Sequence, residues 1–286
     1  MAEYFVSICI PTYNQTEFLK KTLDSLCVQT YRNFEVIISD DSTDDRVELF
    51  VNAYKDQLNL SYNRNTPSLG SPANWNKALS LSKGDLIKFI HHDDWLACNT
   101  ALEEFVNVFK KNSNVNFAFC TSEILDVKEN KVSYNKPPHS FLEKLKSDPR
   151  ILFNDNRIGS PTAVMFKKSA LRFDERIKYV VDIDFYISLL MKNKNFVFID
   201  RPLIVNTSNH PGQVTTASLN KETQVGEYCY LYNKIYKSKI PDIALSKFFR
   251  SLFKKYSVKS LNEVEKIIGE KPKPVWYFKL LVFLSR

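Results

Sequence analysis

The chain has 286 residues, 44% of them apolar and 13% aromatic, enough to bury the core of one large α/β domain with an appendage or of two small domains. Its five cysteines (Cys9, Cys27, Cys98, Cys120, Cys229) are scattered without CxxC spacing, which excludes zinc and disulfide frameworks and fits a reducing compartment. The formal charge of +8 is uneven, net −5 over residues 1–110, +5 over 111–220 and +8 over 221–286, so it describes a basic tail facing an anionic surface and not a nucleic-acid binder, whose common module signatures are also missing.

Residues 5–10 form a short apolar run rich in β-branched side chains, halted by Pro11, and read as a buried strand. So early a strand leaves no room for a signal peptide, and no apolar run approaches the ~20 residues of a membrane span. The expected location is cytoplasmic, at most peripheral on the inner face of the cell membrane. A helix follows from about Glu17, where Phe18, Leu19, Leu23, Leu26 and Cys27 recur at helical spacing. Residues 34–39 are the next strand and end in Asp40-Asp41-Ser42-Thr43-Asp44. Another helix, a short strand near 58–62, a helix over 71–82 and the strand Leu86-Ile87-Lys88-Phe89-Ile90 follow. Strands alternating with helices imply right-handed crossovers and a mainly parallel, Rossmann-like sheet.

Further on, 115–121 reads as a strand, 128–138 as a polar loop or hairpin, and 163–166 as a return to the sheet. Residues 182–191 read as a helix, because Asp182, Phe185, Tyr186, Leu189 and Leu190 share a face. Residues 203–207 are strand-like and lead into the polar turn His210-Pro211-Gly212-Gln213-Val214-Thr215. From about residue 217 the pattern is helical throughout. The expected division is therefore a sheet domain over 1–216, split near residue 97, and a basic helical extension over 217–286.

Three strand ends, at Pro11, Asp40 and Asp93, carry polar residues that can converge on one crevice, where open α/β sheets bind ligands. Asp93-Asp94 offers hard oxygens suited to Mn²⁺ or Mg²⁺ and a diphosphate; the bland alternative is that either acid caps the next helix. Tyr13 offers a flat face for a base to stack on, or else is a core aromatic. Asp182 stands as a first-turn acid favoured by the helix dipole.

Val6-Ser7-Ile8-Cys9-Ile10-Pro11-Thr12-Tyr13-Asn14, Leu26-Cys27-Val28-Gln29-Thr30-Tyr31, Asp40-Asp41-Ser42-Thr43-Asp44, Lys83-Gly84-Asp85 and Asp93-Asp94, with Gly70, Asn76 and Ala78 between them, resemble in order and spacing the family 2 inverting glycosyltransferases. The resemblance covers roughly residues 4–215. It implies the A-type glycosyltransferase fold and a hexosyltransferase-type enzyme. The donor would be a nucleoside-diphosphate sugar, UDP-linked in preference to dTDP-linked. The acceptor would be a glycan or lipid-linked oligosaccharide of a bacterial surface polysaccharide such as O-antigen, capsule or lipopolysaccharide.

By the same resemblance Pro11, Tyr13, Asp41 and Asn76 bind the nucleotide sugar, Asp93 contacts sugar or ribose, and Asp94 holds the metal. The family's glycine after the paired acids of the second strand is missing here, which leaves open whether Asp40 or Asp41 reads the base. Val181-Asp182 replaces the usual Glu-Asp and keeps Asp182 as the base, with Asp184 on another side. His210 would reach the diphosphate or the metal, while His91 and His92 pack beside the acids. Gly159-Ser160-Pro161-Thr162 would line the acceptor side.

In the tail, Leu245, Phe248, Phe249, Leu252, Phe253 and Tyr256 form an apolar stripe beside Lys247, Arg250, Lys254, Lys255 and Lys259. That pattern fits an interfacial helix on an anionic membrane and equally a helix packed on a domain. The apolar run 275–284 is too short to span a bilayer. Rival functions are a sugar-nucleotide pyrophosphorylase, which needs a glycine-rich loop where this chain has no glycine before Gly70, and a membrane-associated scaffold without turnover.

Overall fold

The computed structural model describes residues 3–210 and 219–286. A nine-stranded sheet forms the middle layer. Its first half is parallel, in the order β3 (Leu60–Arg64), β2 (Phe34–Asp40), β1 (Val6–Thr12), β4 (Leu86–Phe89). The second half is mixed. β8 (Val164–Lys167) runs antiparallel between β4 and β6 (Phe117–Asp126), β9 (Phe196–Ser208) is parallel to β6, and β5 (Trp95–Leu96) pairs antiparallel with β9. The polar stretch 128–138 resolves as a hairpin, β7 (Lys131–Asn135) pairing antiparallel with β6.

Side-chain alternation along the strands feeds two cores. Val6, Ile8, Ile10, Val36 and Ile38 face α1 (Glu17–Cys27), α2 (Arg46–Asn52) and α4 (Ala101–Lys111). Cys9, Ile37, Phe89 and Phe117 face α3 (Ala73–Leu81), α5 (His139–Ser147) and α6 (Val181–Lys192). Helix over sheet over helix is the layering that a parallel sheet, buried on both faces, requires. Gly84 lies at the opposite end of β1 from its carboxyl terminus. A Cβ there would stand 2.5 Å from the Ser7 amide nitrogen, so the glycine of Lys83-Gly84-Asp85 serves chain crossing and not the crevice.

Beyond the undescribed 211–218, which include most of the polar turn after His210, the chain forms α7 (Lys221–Tyr236), α8 (Ile243–Lys255), α9 (Leu261–Ile268) and α10 (Val275–Phe283). These helices share a core with the sheet. Val225, Leu231, Phe249, Phe253 and Phe278 belong to the same apolar cluster as Phe117 and Phe185. The stripe of α8 is thus spent inside the protein: Leu245, Phe249, Leu252 and Phe253 are buried, and the interfacial reading of that stripe is corrected.

Candidate active site

The carboxyl ends of β1, β2 and β4 open on a crevice of about 780 Å³. Its walls include Pro11, Tyr13, Asp41, Asn74, Trp75, the run 91–94, Asn156, Ser160, Asp182, Asn206 and Tyr228. Of the three strand ends expected to converge, Pro11 and Asp93 line the crevice, while Asp41 takes the place of Asp40, and Tyr228 of α7 joins them.

Tyr13 is 55% exposed at the rim, which removes the core reading and leaves a free aromatic face. The two acids after β2 are both buried, at 0% and 4% exposure, and differ in their partners and in which of them borders the crevice. Asp40 is fully buried; it accepts from Thr12 Oγ1 at 2.9 Å, Ser42 N at 3.0 Å and Tyr62 OH at 2.7 Å. Asp41 is the acid that borders the crevice. It accepts from the Leu69 amide at 3.1 Å and the Gly70 amide at 2.7 Å, and so fixes the loop that leads into α3. Gly70 has φ +73°, a conformation that glycine adopts without strain.

Asn76 lies outside the crevice. Its amide bonds Phe173 O at 2.9 Å and Glu175 Oε1 at 2.9 Å and receives Phe173 N, so it clamps the 173–175 segment on the far side of α3. The asparagine that borders the crevice is Asn74, held by Asn65 Nδ2 at 3.1 Å and donating to Thr12 O at 3.3 Å.

The two acids after β4 divide differently from expectation. Asp94 is buried, and its carboxylate is committed to three donors: Thr162 Oγ1 at 2.5 Å, Asn206 Nδ2 at 2.6 Å and Thr207 N at 3.1 Å. Burial, together with the charge of Asp93, raises its pKa. An acid so placed ties β4 to the turn at 162 and to β9, and it also belongs to the His91-Asp93-Asp94 group whose ligand atoms could hold a metal ion. Thr162 is correspondingly an internal partner, while Ser160 and Pro161 line the crevice.

Asp93 faces the other way. Its Oδ2 lies 3.0 Å from His210 Nε2, and His210 in turn packs on Phe18 with ring centroids 4.9 Å apart. Burial acts to raise the pKa of Asp93, but the bond to His210 and the nearby histidines outweigh it, and the net shift is downward. His91 is held below its usual range, at about 4, by burial, so it is a neutral imidazole. Its Nε2 is buried with no hydrogen-bond partner among the described residues, and its ring lies against Trp75 at 4.8 Å. Ligand atoms of His91, Asp93 and Asp94 fall within 4.8 Å of one another. His92 instead turns its Nδ1 to Pro11 O at 3.2 Å. A carboxylate beside a neutral imidazole with an orphaned nitrogen is a donor set that fits a divalent ion.

Asp182 sits in the first turn of α6 and lines the crevice. Burial lifts its carboxyl to about 6, and Asn156 Nδ2, at 3.0 Å from Oδ2, fixes its orientation. Asp184 points elsewhere, into an ion pair with Lys234 at 2.8 Å. The backbone just before α6 is anchored from the tail. Glu227 of α7 accepts from the amides of Lys178 at 2.8 Å, Tyr179 at 2.7 Å and Val180 at 3.1 Å. Glu227 and the neighbouring wall residue Tyr228 were missed from the sequence, because the helical pattern after 217 carries no sign that it returns to the crevice.

One more buried group supports the site. Lys88 of β4 is fully buried, with Nζ bonded to Thr162 O and to Val164 O at 3.3 Å and seated over the Phe105 ring. Burial lowers its pKa to about 8. It braces from below the same turn that holds Asp94.

The family model for glycosyl transferase family 2 matches residues 7–173. A glycosyltransferase of Rickettsia typhi is 30% identical over 237 residues, 81% of this chain and 71% of that protein. The Escherichia coli protein WfgD, a UDP-Glc:alpha-D-GlcNAc-diphosphoundecaprenol beta-1,3-glucosyltransferase, is 30% identical over 145 residues, 48% of this chain and 56% of that one. Among solved structures, Staphylococcus aureus TarS in complex with UDP-GlcNAc superposes with a TM-score of 0.67 at 19% identity, covering 88% of this chain and 73% of that chain. That likeness shows the fold.

Proposed function

The chain belongs to glycosyl transferase family 2, and on that premise we propose that it is a metal-dependent inverting transferase of surface-polysaccharide synthesis. It would move a sugar from a UDP-linked donor to a hydroxyl of a glycan or lipid-linked glycan. The observation that carries the reading is the meeting, in one crevice, of an exposed aromatic with an acid beside it (Tyr13, Asp41), an Asp-His cluster (Asp93, His91) and an acid lifted toward neutrality (Asp182). The names of WfgD and of the TarS complex, both with UDP-sugars, favour that donor class, and the diphosphoundecaprenol of WfgD favours a lipid-linked acceptor.

In this reading Tyr13 stacks on the base and Asp41 shapes the loop around it. Asp93 would be the carboxylate ligand of Mn²⁺ or Mg²⁺, with His91 beside it and His210 orienting it from 3.0 Å. When bound, the ion would supply positive charge to the departing diphosphate. Asp182, ionised above pH about 6, accepts the proton of the acceptor hydroxyl as that oxygen bonds to the anomeric carbon. The bond to the diphosphate oxygen breaks on the opposite face, and the configuration inverts. A panel of sugar nucleotides assayed for nucleotide release, with Mn²⁺ and with EDTA, tests this. Release from a UDP-sugar that depends on metal and on added glycan acceptor is expected. No release from any donor would leave only the fold.

A further inference from the structure

Helix α10 is apolar at all but Lys279 and the Tyr277 hydroxyl, yet only part of it is covered. Phe278, Leu281 and Val282 are buried, whereas Trp276 is 61%, Leu280 43%, Phe283 68% and Leu284 45% exposed. Trp276, Leu280 and Phe283 stand at i, i+4 and i+7, so they form one outward row. Scattered exposed apolar residues are ordinary; a contiguous row that ends in Trp and Phe is not.

A second row lies beside it. On α8, Lys247, Arg250 and Lys254 are exposed at i, i+3 and i+7. Arg250 donates to Leu284 O at 3.2 Å, and Ser246 Oγ meets Tyr277 OH at 2.9 Å, so the basic row of α8 borders the apolar row of α10. Helices α8 and α10 together carry five basic side chains and no acidic one. Ile243, 77% exposed at the start of α8, stands at the head of the basic row.

An apolar ridge bordered by a basic row is complementary to a layer that is apolar beneath and anionic at its surface. We propose that this face of α8 and α10 seats the protein on an anionic lipid bilayer. Trp276, Phe283 and Leu280 enter the headgroup boundary, and Lys247, Arg250, Lys254 and Lys279 meet lipid phosphates. No described helix is long and apolar enough to cross a membrane, so the contact is one of lying on the surface. The inference concerns the fold's outer face and does not depend on the transfer reaction.

The test is co-sedimentation of the full chain with phosphatidylcholine vesicles, with and without phosphatidylglycerol, in the absence of any donor. Binding is expected only where phosphatidylglycerol is present, with weakening by salt. The Trp276→Ser/Phe283→Ser variant should bind roughly tenfold more weakly or worse, and Lys247→Gln/Lys254→Gln about 25-fold more weakly, on the order of fivefold for each of the two charges. Both variants should melt at the parent temperature, since these side chains are exposed. Binding that ignores phosphatidylglycerol or survives Trp276→Ser/Phe283→Ser would overturn the proposal. So would sedimentation showing a dimer that the same variant dissociates, because a second copy would then cover the ridge. Nucleotide release, measured separately in detergent-free solution, reports on the transferase reading alone.

Discussion

Asp93 Oδ2 lies 3.0 Å from His210 Nε2, while the adjacent Asp94 turns inward to Thr162, Asn206 and Thr207. Neighbouring acids in one motif therefore have different hydrogen-bond partners, although both line the crevice. The two substitutions should separate. Asp93→Asn should melt near the parent temperature but lose Mn²⁺ binding, measured by calorimetry, and transfer with it. Asp94→Ala strands three buried donors and should lose about 3 kcal/mol of stability in a denaturant titration. An Asp94→Ala protein of parental stability that cannot bind Mn²⁺ would reverse the assignment.

Asp182 has a folded-state pKa raised from 3.8 to about 6. kcat/KM should accordingly climb with pH through about 6 and level off above it. The sign for stability runs the other way. A raised carboxyl binds its proton more tightly when folded, so it favours the native state in acid and opposes it once ionised. Asp182→Asn should abolish transfer and make the protein about 1 to 3 kcal/mol more stable near neutral pH, the gain fading below pH ~4. Retained transfer in that variant would remove Asp182 from the role of base.

Tyr13 is exposed, so its replacement tests recognition without disturbing packing. Tyr13→Ala should weaken UDP binding about tenfold or more, in line with the roughly 1–3 kcal/mol of one stacked base. Tyr13→Phe should bind like the parent. Titration calorimetry with UDP distinguishes them, and unchanged affinity in Tyr13→Ala would place the base elsewhere.

Glu227 reaches from α7 to three amides that lead into the Asp182 helix. Glu227→Ala should lower kcat more than it raises KM for the donor, because it loosens the base and leaves the donor wall intact. About 2 kcal/mol of stability should go with it. Equal losses in kcat/KM for donor and acceptor, at parental kcat, would show that the contact serves binding instead.

Much of this was open to reading in the residues. β1, β2 and β4 announce themselves as β-branched runs ending in Pro11, Asp40 and Asp93, and their ends do meet. What misled was side-chain direction and distant partners. Asn74 and Asn76 are two positions apart on a helix, hence on nearly opposite faces, and only the packed structure says which faces the crevice. Asp94 is taken up by donors 68, 112 and 113 residues away, a separation no local pattern encodes. Glu227 and Tyr228 sit in a helical stretch whose periodicity reports burial, not destination.

The insertion of β8 between β4 and β6 joins the parallel strands and the mixed strands into one continuous sheet, with Asp94 and Lys88 bonded across the seam. Strand pairing on both sides of β8 ties the two parts of the sheet together. Variation among relatives in which hydroxyl is glycosylated would then be written in the segment 154–161, which lines the crevice without belonging to a strand. Exchanging that segment between relatives should transfer acceptor choice while leaving donor choice behind.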